Sequence, residues 1–334
     1  MNTKTRYFLV GSLLTLAIGL GVGFVAYSLG LSTTSAFALQ GGPGELQFVP
    51  ANASLVAFAD VHDIMTSDLR QKVRSAFPKR EDGQQEFQIQ TGINIETDID
   101  HVIAAIVPAG EQTGPLPGSA IVLARGRFDQ VKIEALMREH GAQVEDYKGT
   151  RLIVGDVTDA KPQVSLAFLE PGLVAVGSSP LVRSAVDLKA GGSSIATNDE
   201  MMGLIRDMSA GNAWAAGHFD ALTAQAKFPS GVAEQLPSVT LFSASALIDS
   251  GVRATLRTES RDDEAANSLR DVVRGFLALA RLQTSSRPEI SALLESLQLG
   301  GTGKTVSLSF DLPASAIEAL VELSHPSTQT PQQQ

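Results

Sequence analysis

The sequence predicts an α+β fold: an N-terminal transmembrane helix followed by two α+β subdomains with mainly antiparallel sheets. Three observations predict it. Tyr7 to Leu31 is an uncharged run of 25 residues behind Lys4 and Arg6, and at about 1.5 Å per helical residue it crosses a hydrocarbon core of about 30 Å. Beyond residue 50, short β-rich runs bounded by Gly, Pro and Asp alternate with segments of helical period, several joined by hairpin-length turns. The order strand, helix, two strands, helix, strand then occurs twice, over 50–192 and 213–325, the pattern of a duplicated ferredoxin-like unit.

Both basic residues precede the apolar run and no Lys or Arg follows it before Arg70, so charge bias puts the N-terminus in the cytoplasm and the rest outside. Residues 1–31 are thus read as cytoplasmic tip and anchor of a single-pass protein of a bacterial inner membrane. Ala36-Phe37-Ala38 has the small-x-small form of a signal-peptidase site, the rival reading, but the run is longer than a signal h-region. Gly19, Gly23, Ala26 and Gly30 share nearly one face at small-xxx-small spacing, the candidate for a homodimer contact through the span.

Residues 32–49, rich in Ser, Thr, Gly and Pro, read as a flexible tether. The first subsidiary body, 50–192, opens with strand Ser54–Ala59, Asp60 as a helix cap, and helical spacing to Phe77. Strands follow at 101–107 and 119–126. Asp129 caps the next helix, Phe128, Val131, Ala135 and Leu136 supply its apolar face, and Gly141 stops it. Segments 144–155 and 164–176 read as strand pairs broken at Lys148-Gly149 and Glu170-Pro171-Gly172, before a helix from Pro180 to Lys189.

Residues 193–212 read as a linker with a short helix, and 213–325 as the second body. It opens with strand Ala213–Phe219, ending at Asp220 as the first ends at Asp60. Strands 239–248 and 252–258 meet at Asp249-Ser250-Gly251. The strongest helical pattern, 262–282, aligns Ala266, Leu269, Val272, Val273, Phe276, Leu277 and Ala280 on one stripe. A helix 288–299, strand 305–312, helix 313–323 and a disordered tail 326–334 complete the prediction.

Composition excludes several classes of partner. The chain carries 36 acidic and 26 basic residues, and with only Lys4 and Arg6 before Glu45 the exported part has a formal charge of −12. That balance is unsuited to nucleic acid or anionic headgroups, which reward clustered cations. With no cysteine there is no disulfide, thiolate metal site or Cys nucleophile, so core burial must hold an exported body together.

No linear motif carries chemistry. Gly303-Lys304-Thr305 matches the end of a phosphate loop, but Gln298 occupies the place of its first glycine, and the segment leads from helix to strand. Asn94, Glu96, Asp98 and Asp100 alternate like calcium ligands, yet the required glycine and glutamate positions hold Ile99 and Ala105. His62, His101, His140, His218 and His325 show no metal-binding interval, although pseudo-symmetric packing would bring His62 and His218 together. Catalytic, cofactor-binding and metal residues are therefore all read as none.

Val49 to Asp60 (VPANASLVAFAD), Thr91 to Asp100 (TGINIETDID), Asp146 to Ile153 (DYKGTRLI) and Val174 to Val182 (VAVGSSPLV) resemble segments of bacterial membrane-anchored extracytoplasmic proteins of unknown function. The resemblance implies an anchored envelope protein and transfers no site. Two functions are expected: a non-catalytic envelope protein whose body mediates protein interaction or assembly, or a carrier or sensor of an apolar ligand held between a sheet and helices 262–282 and 288–299. A deep apolar cavity favours the second, an exposed apolar patch the first, and converging carboxylates an enzyme.

Overall fold

The computed structural model describes residues 43–76, 87–89, 91–108, 120–156, 163–208, 211–219, 239–283 and 294–313. The expected span Tyr7–Leu31, its Gly19/Gly23/Ala26/Gly30 face, Asp220, all of helix 313–323 beyond Pro313 and the tail lie outside the described residues. Among the described residues, no helix is long and apolar enough to cross a membrane.

The described chain begins with a 3-10 turn, Gly44–Phe48, and enters β1 (Leu55–Asp60). Two short helices follow, α1 (Val61–Thr66) and α2 (Asp68–Ala76), then α3 (Ile95–Asp98), β2 (Ile99–Ile106) and β3 (Ala120–Gly126). After α4 (Gln130–Glu139) come two hairpins, β4 (Gln143–Tyr147) with β5 (Thr150–Asp156), and β6 (Gln163–Glu170) with β7 (Leu173–Ser178). The helices α5 (Ser179–Lys189) and α6 (Asp199–Arg206) lead to β8 (Ala213–His218). The chain closes with β9 (Val239–Ile248), β10 (Gly251–Ser260), α7 (Asp263–Gln283), β11 (Gln298–Gly300) and β12 (Thr305–Pro313).

Local chemistry sets these boundaries. Asp60, Asp129 and Asn198 each accept the backbone N–H three residues on, at 2.9, 3.0 and 3.1 Å, which starts α1, α4 and α6. Lys148 and Gly149 both have positive φ, 52° and 77°, as a two-residue turn that matches strand twist requires.

The strands form one twelve-stranded sheet in the order β11-β12-β10-β9-β8-β1-β2-β3-β7-β6-β5-β4, antiparallel at every ladder. This corrects the expectation of separate sheets and of ferredoxin-like units, whose split βαβ core needs parallel neighbours. Each half is instead a three-strand meander, β1-β2-β3 or β8-β9-β10, with a later strand returning beside the third. The halves join because β1 and β8 would each leave a row of unpaired backbone groups. Pairing Leu55 with Gly217 through Ala59 with Ala213 satisfies both rows, and small residues let the strands approach.

Helices cover both faces. On one, Val56, Ile103, Leu123, Ala175 and Trp214 pack against Val182 and Val186 of α5 and Met201 and Ile205 of α6. On the other, α1 covers Ala59 and Val102, α4 covers Ile153 and Val174, and the start of α7 covers Val306.

Three boundaries differ from expectation. The tether ends earlier than residue 49, since Leu46, Phe48 and Val49 are 2%, 2% and 0% exposed: their side chains enter the core although their neighbours are loop formers. The segment 193–212 is structural rather than a linker, with Ile195, Met201 and Ile205 buried and the Asn212 amide bonded to both the N–H and C=O of Ile248. Gln298–Gly300 is a strand where a helix to Leu299 was expected, because Leu299 lies opposite Leu308 on the apolar face of β12.

Candidate functional site

An apolar crevice of about 90 Å³ lies between α4 and the sheet. Its floor is Val102, Val122, Ala124, Val174 and Val176, the helix-facing positions of β2, β3 and β7. Ile133, Leu136 and Met137 of α4 form its roof, and Phe87, Ile93 and Phe128 close its sides, with Thr91 the single polar side chain. Thr91 hydrogen-bonds its hydroxyl to Phe87 O at 2.7 Å, so no free polar group points inward to favour water.

At the crevice α4 keeps part of the expected face, with Phe128 and Leu136 in the lining, and departs from it at Val131 and Ala135, which are exposed. Ile133 is 5% exposed whereas Val131 is 79% exposed, so the buried stripe runs through 133, 136 and 137. This i, i+3, i+4 set was present in the sequence, but counting Val131 and Ala135 in the face rotated the assignment. Of the two helices expected to enclose a cavity, 262–282 and 288–299, residues 288–293 are outside the described set.

A second cluster gathers charge on the opposite face. Glu45, in the first 3-10 turn, accepts from Arg125 Nε at 2.7 Å and sits 3.3 Å from His101 Nε2. Arg125 also bridges to Glu170 at 3.1 Å and donates to Pro171 O. At 3.3 Å the imidazole lies beside the carboxylate without an aligned hydrogen bond, so the guanidinium is the main geometric hold. His101 followed by Arg125 nevertheless draws the Glu45 carboxyl down to a pKa of about 2, against the upward pull of burial. Asp60, directly opposite His101 in the β1–β2 ladder, is raised instead, chiefly by burial. The cluster ties the point where the chain enters the body to the centre of the sheet. Sequence reasoning missed it because its members stand at 45, 101, 125 and 170.

The remaining sequence features resolve as structure. His62 and His218 fall at opposite ends of the antiparallel β1–β8 ladder, so packing keeps them apart. His218 lies 3.7 Å from Glu200. Asn94 accepts Glu96 N–H and its own N–H reaches Asp98, which makes the acidic run a capped turn. The Gly300–Thr305 segment joins β11 to β12, and Arg270 of α7 donates to the carbonyls of Gly303 and Thr305, occupying the loop with a cation. Among the described residues no group of three or more His, Asp or Glu is placed to hold a metal ion.

No protein-family profile matches the chain, and no curated protein sequence matches it. Among solved structures the chain is similar to TP0453 in crystal form III, with a TM-score of 0.51 and 9% identity over 85% of this chain and 99% of that one. Crystal form I of TP0453 covers the same shares at a TM-score of 0.46. At this identity the likeness to form III is one of fold.

Proposed function

We propose that the chain is a non-catalytic, single-pass envelope protein whose exported body carries or senses an apolar ligand. The observation that supports this is the crevice beneath α4, lined on floor, roof and sides by apolar side chains and lacking an unsatisfied polar side chain. Its volume suits a small apolar molecule or the end of an alkyl chain, and exclusion of water from such a lining provides roughly 25 cal/mol per Å² of apolar area covered. Native mass spectrometry of the chain purified from its own envelope tests the reading. Ala124, on the crevice floor, is replaced by Phe to fill the space. A small apolar molecule released from the native chain and missing from Ala124→Phe supports a carrier; a bare native chain overturns it.

A second reading, protein interaction, is favoured by the far half of α7. There Phe276, Leu279 and Leu282 are 57%, 52% and 77% exposed, more apolar surface than a helix needs to dock on its own sheet. Protein bound in that same spectrum, lost on replacing these three by Ser, supports it.

A further inference from the structure

The face of β9–β12 opposite α7 carries a second concavity, of about 280 Å³, that the apolar-ligand reading does not use. Strand alternation puts most apolar residues of these strands beneath α7 and leaves the other side mixed, with Leu247 among the polar side chains and Gly211, Ala254 and Phe310 also at the hollow. Alternation alone accounts for the polar side chains, and does not account for an open hollow in which six of them are without a side-chain partner among the described residues. The ladders align Ser245, Thr255, Ser309 and Gln298 in one row across four strands. In the next row Arg253 stands directly opposite Asp311. All six line the hollow, and among the described residues none makes a side-chain hydrogen bond or ion pair, although Arg253 and Asp311 have opposite charges on adjacent strands.

We infer that this hollow is a binding site for a neutral oligosaccharide. Charge argues for a ligand of zero net charge, because the lining offers one cation and one anion and no excess of either to hold a phosphate or an amine. Chemistry argues for hydroxyls, since three hydroxyls, an amide, a guanidinium and a carboxylate supply both donors and acceptors at every step. Length argues for more than one sugar unit. Three strand spacings of about 4.8 Å make the row about 14 Å long, several times the reach of a free amino acid, the other ligand of zero net charge with which Arg253 and Asp311 would pair. The carboxylate of Asp311 accepts from vicinal hydroxyls and Arg253 donates to ring or hydroxyl oxygens, contacts that draw on the stronger, charge-assisted class of hydrogen bond.

Isothermal titration of the full chain, in a detergent without a sugar headgroup, tests this with maltohexaose, N-acetylchitohexaose and the zwitterion glycylglycine as probes. The expected result is saturable binding of at least one hexasaccharide, with Asp311→Asn and Arg253→Ala each weakening it about tenfold, the cost of a charged hydrogen bond. Both residues are exposed, so the variants keep the native unfolding midpoint. No heat from either sugar at concentrations on the order of 10 mM, unchanged affinity in both variants, or tighter binding of glycylglycine overturns the inference. Retention of the apolar ligand in Asp311→Asn, read by mass spectrometry, separates failure here from failure of the carrier reading.

Discussion

Glu45 shows how one side chain can govern the response of this body to acid. Its carboxyl falls from the ordinary 4.5 to about 2, through His101 and then Arg125. A depressed carboxylate contributes stability that is full above its unfolded pKa, and that is lost as pH falls toward the folded one. The shift corresponds to a stabilisation of roughly 3 kcal/mol, of which about 2 disappears between pH 6 and pH 3. Asp60, with its pKa raised chiefly by burial, works with the opposite sign, so the native chain alone does not isolate Glu45. Comparison with Glu45→Gln does. Urea unfolding of the two proteins at pH 6 and pH 3 is expected to give a difference of about 2–3 kcal/mol at pH 6 that shrinks to under about 1 at pH 3. A difference that does not change with pH would mean that the contact to Arg125 is replaced by solvent at no cost. Nothing in the sequence around Glu45 signals this role, because the residue sits in a Gly/Pro-rich stretch and its partners come from β2 and β3.

At the scale of an element, α7 separates what a helical pattern encodes from what it leaves open. The stripe from Ala266 to Ala280 and the start at Asp263 were legible, since 3.6-residue periodicity and an acidic first turn are local. How far along the helix the sheet extends is not local. Ala266 and Leu269 are 0% and 6% exposed against Val306, while Phe276, seven residues after Leu269, is 57% exposed. Leu269→Ala is therefore expected to cost about 2–4 kcal/mol, and Phe276→Ser less than about 1. Thermal unfolding monitored by circular dichroism gives both numbers. Similar losses at the two positions would show that the far half is covered in solution. The same distinction explains α4, where the helix was legible from Asp129 and Gly141, but its buried face was set by β5–β7, strands distant enough to be invisible to a helical wheel.

For the whole molecule, strand positions were largely legible and their order was not. Alternation and turn residues mark β1, β3, β8, β9 and β12 within a residue or two, whereas partnership between β1 and β8 depends on segments about 155 residues apart. That pairing makes the two meanders one sheet, so the halves should unfold together rather than as two bodies. Trp214, the single tryptophan of the chain, reports on the seam: it lies opposite Phe58 and stacks on it with ring centroids 5.5 Å apart. Gly217 shows how close the seam is, since a Cβ there would meet Ser54 O at 2.3 Å and Leu55 Cα at 2.8 Å, both backbone atoms that cannot swing aside. Gly217→Ala is expected to destabilise by more than about 2 kcal/mol by forcing β8 away from β1. In the native chain, Trp214 fluorescence and far-ultraviolet dichroism should trace one coincident urea transition, and in Gly217→Ala both should move to lower urea together. If Trp214 emission shifts first while much of the dichroism persists, the seam opens before the meanders melt, and each half holds its strands without the other.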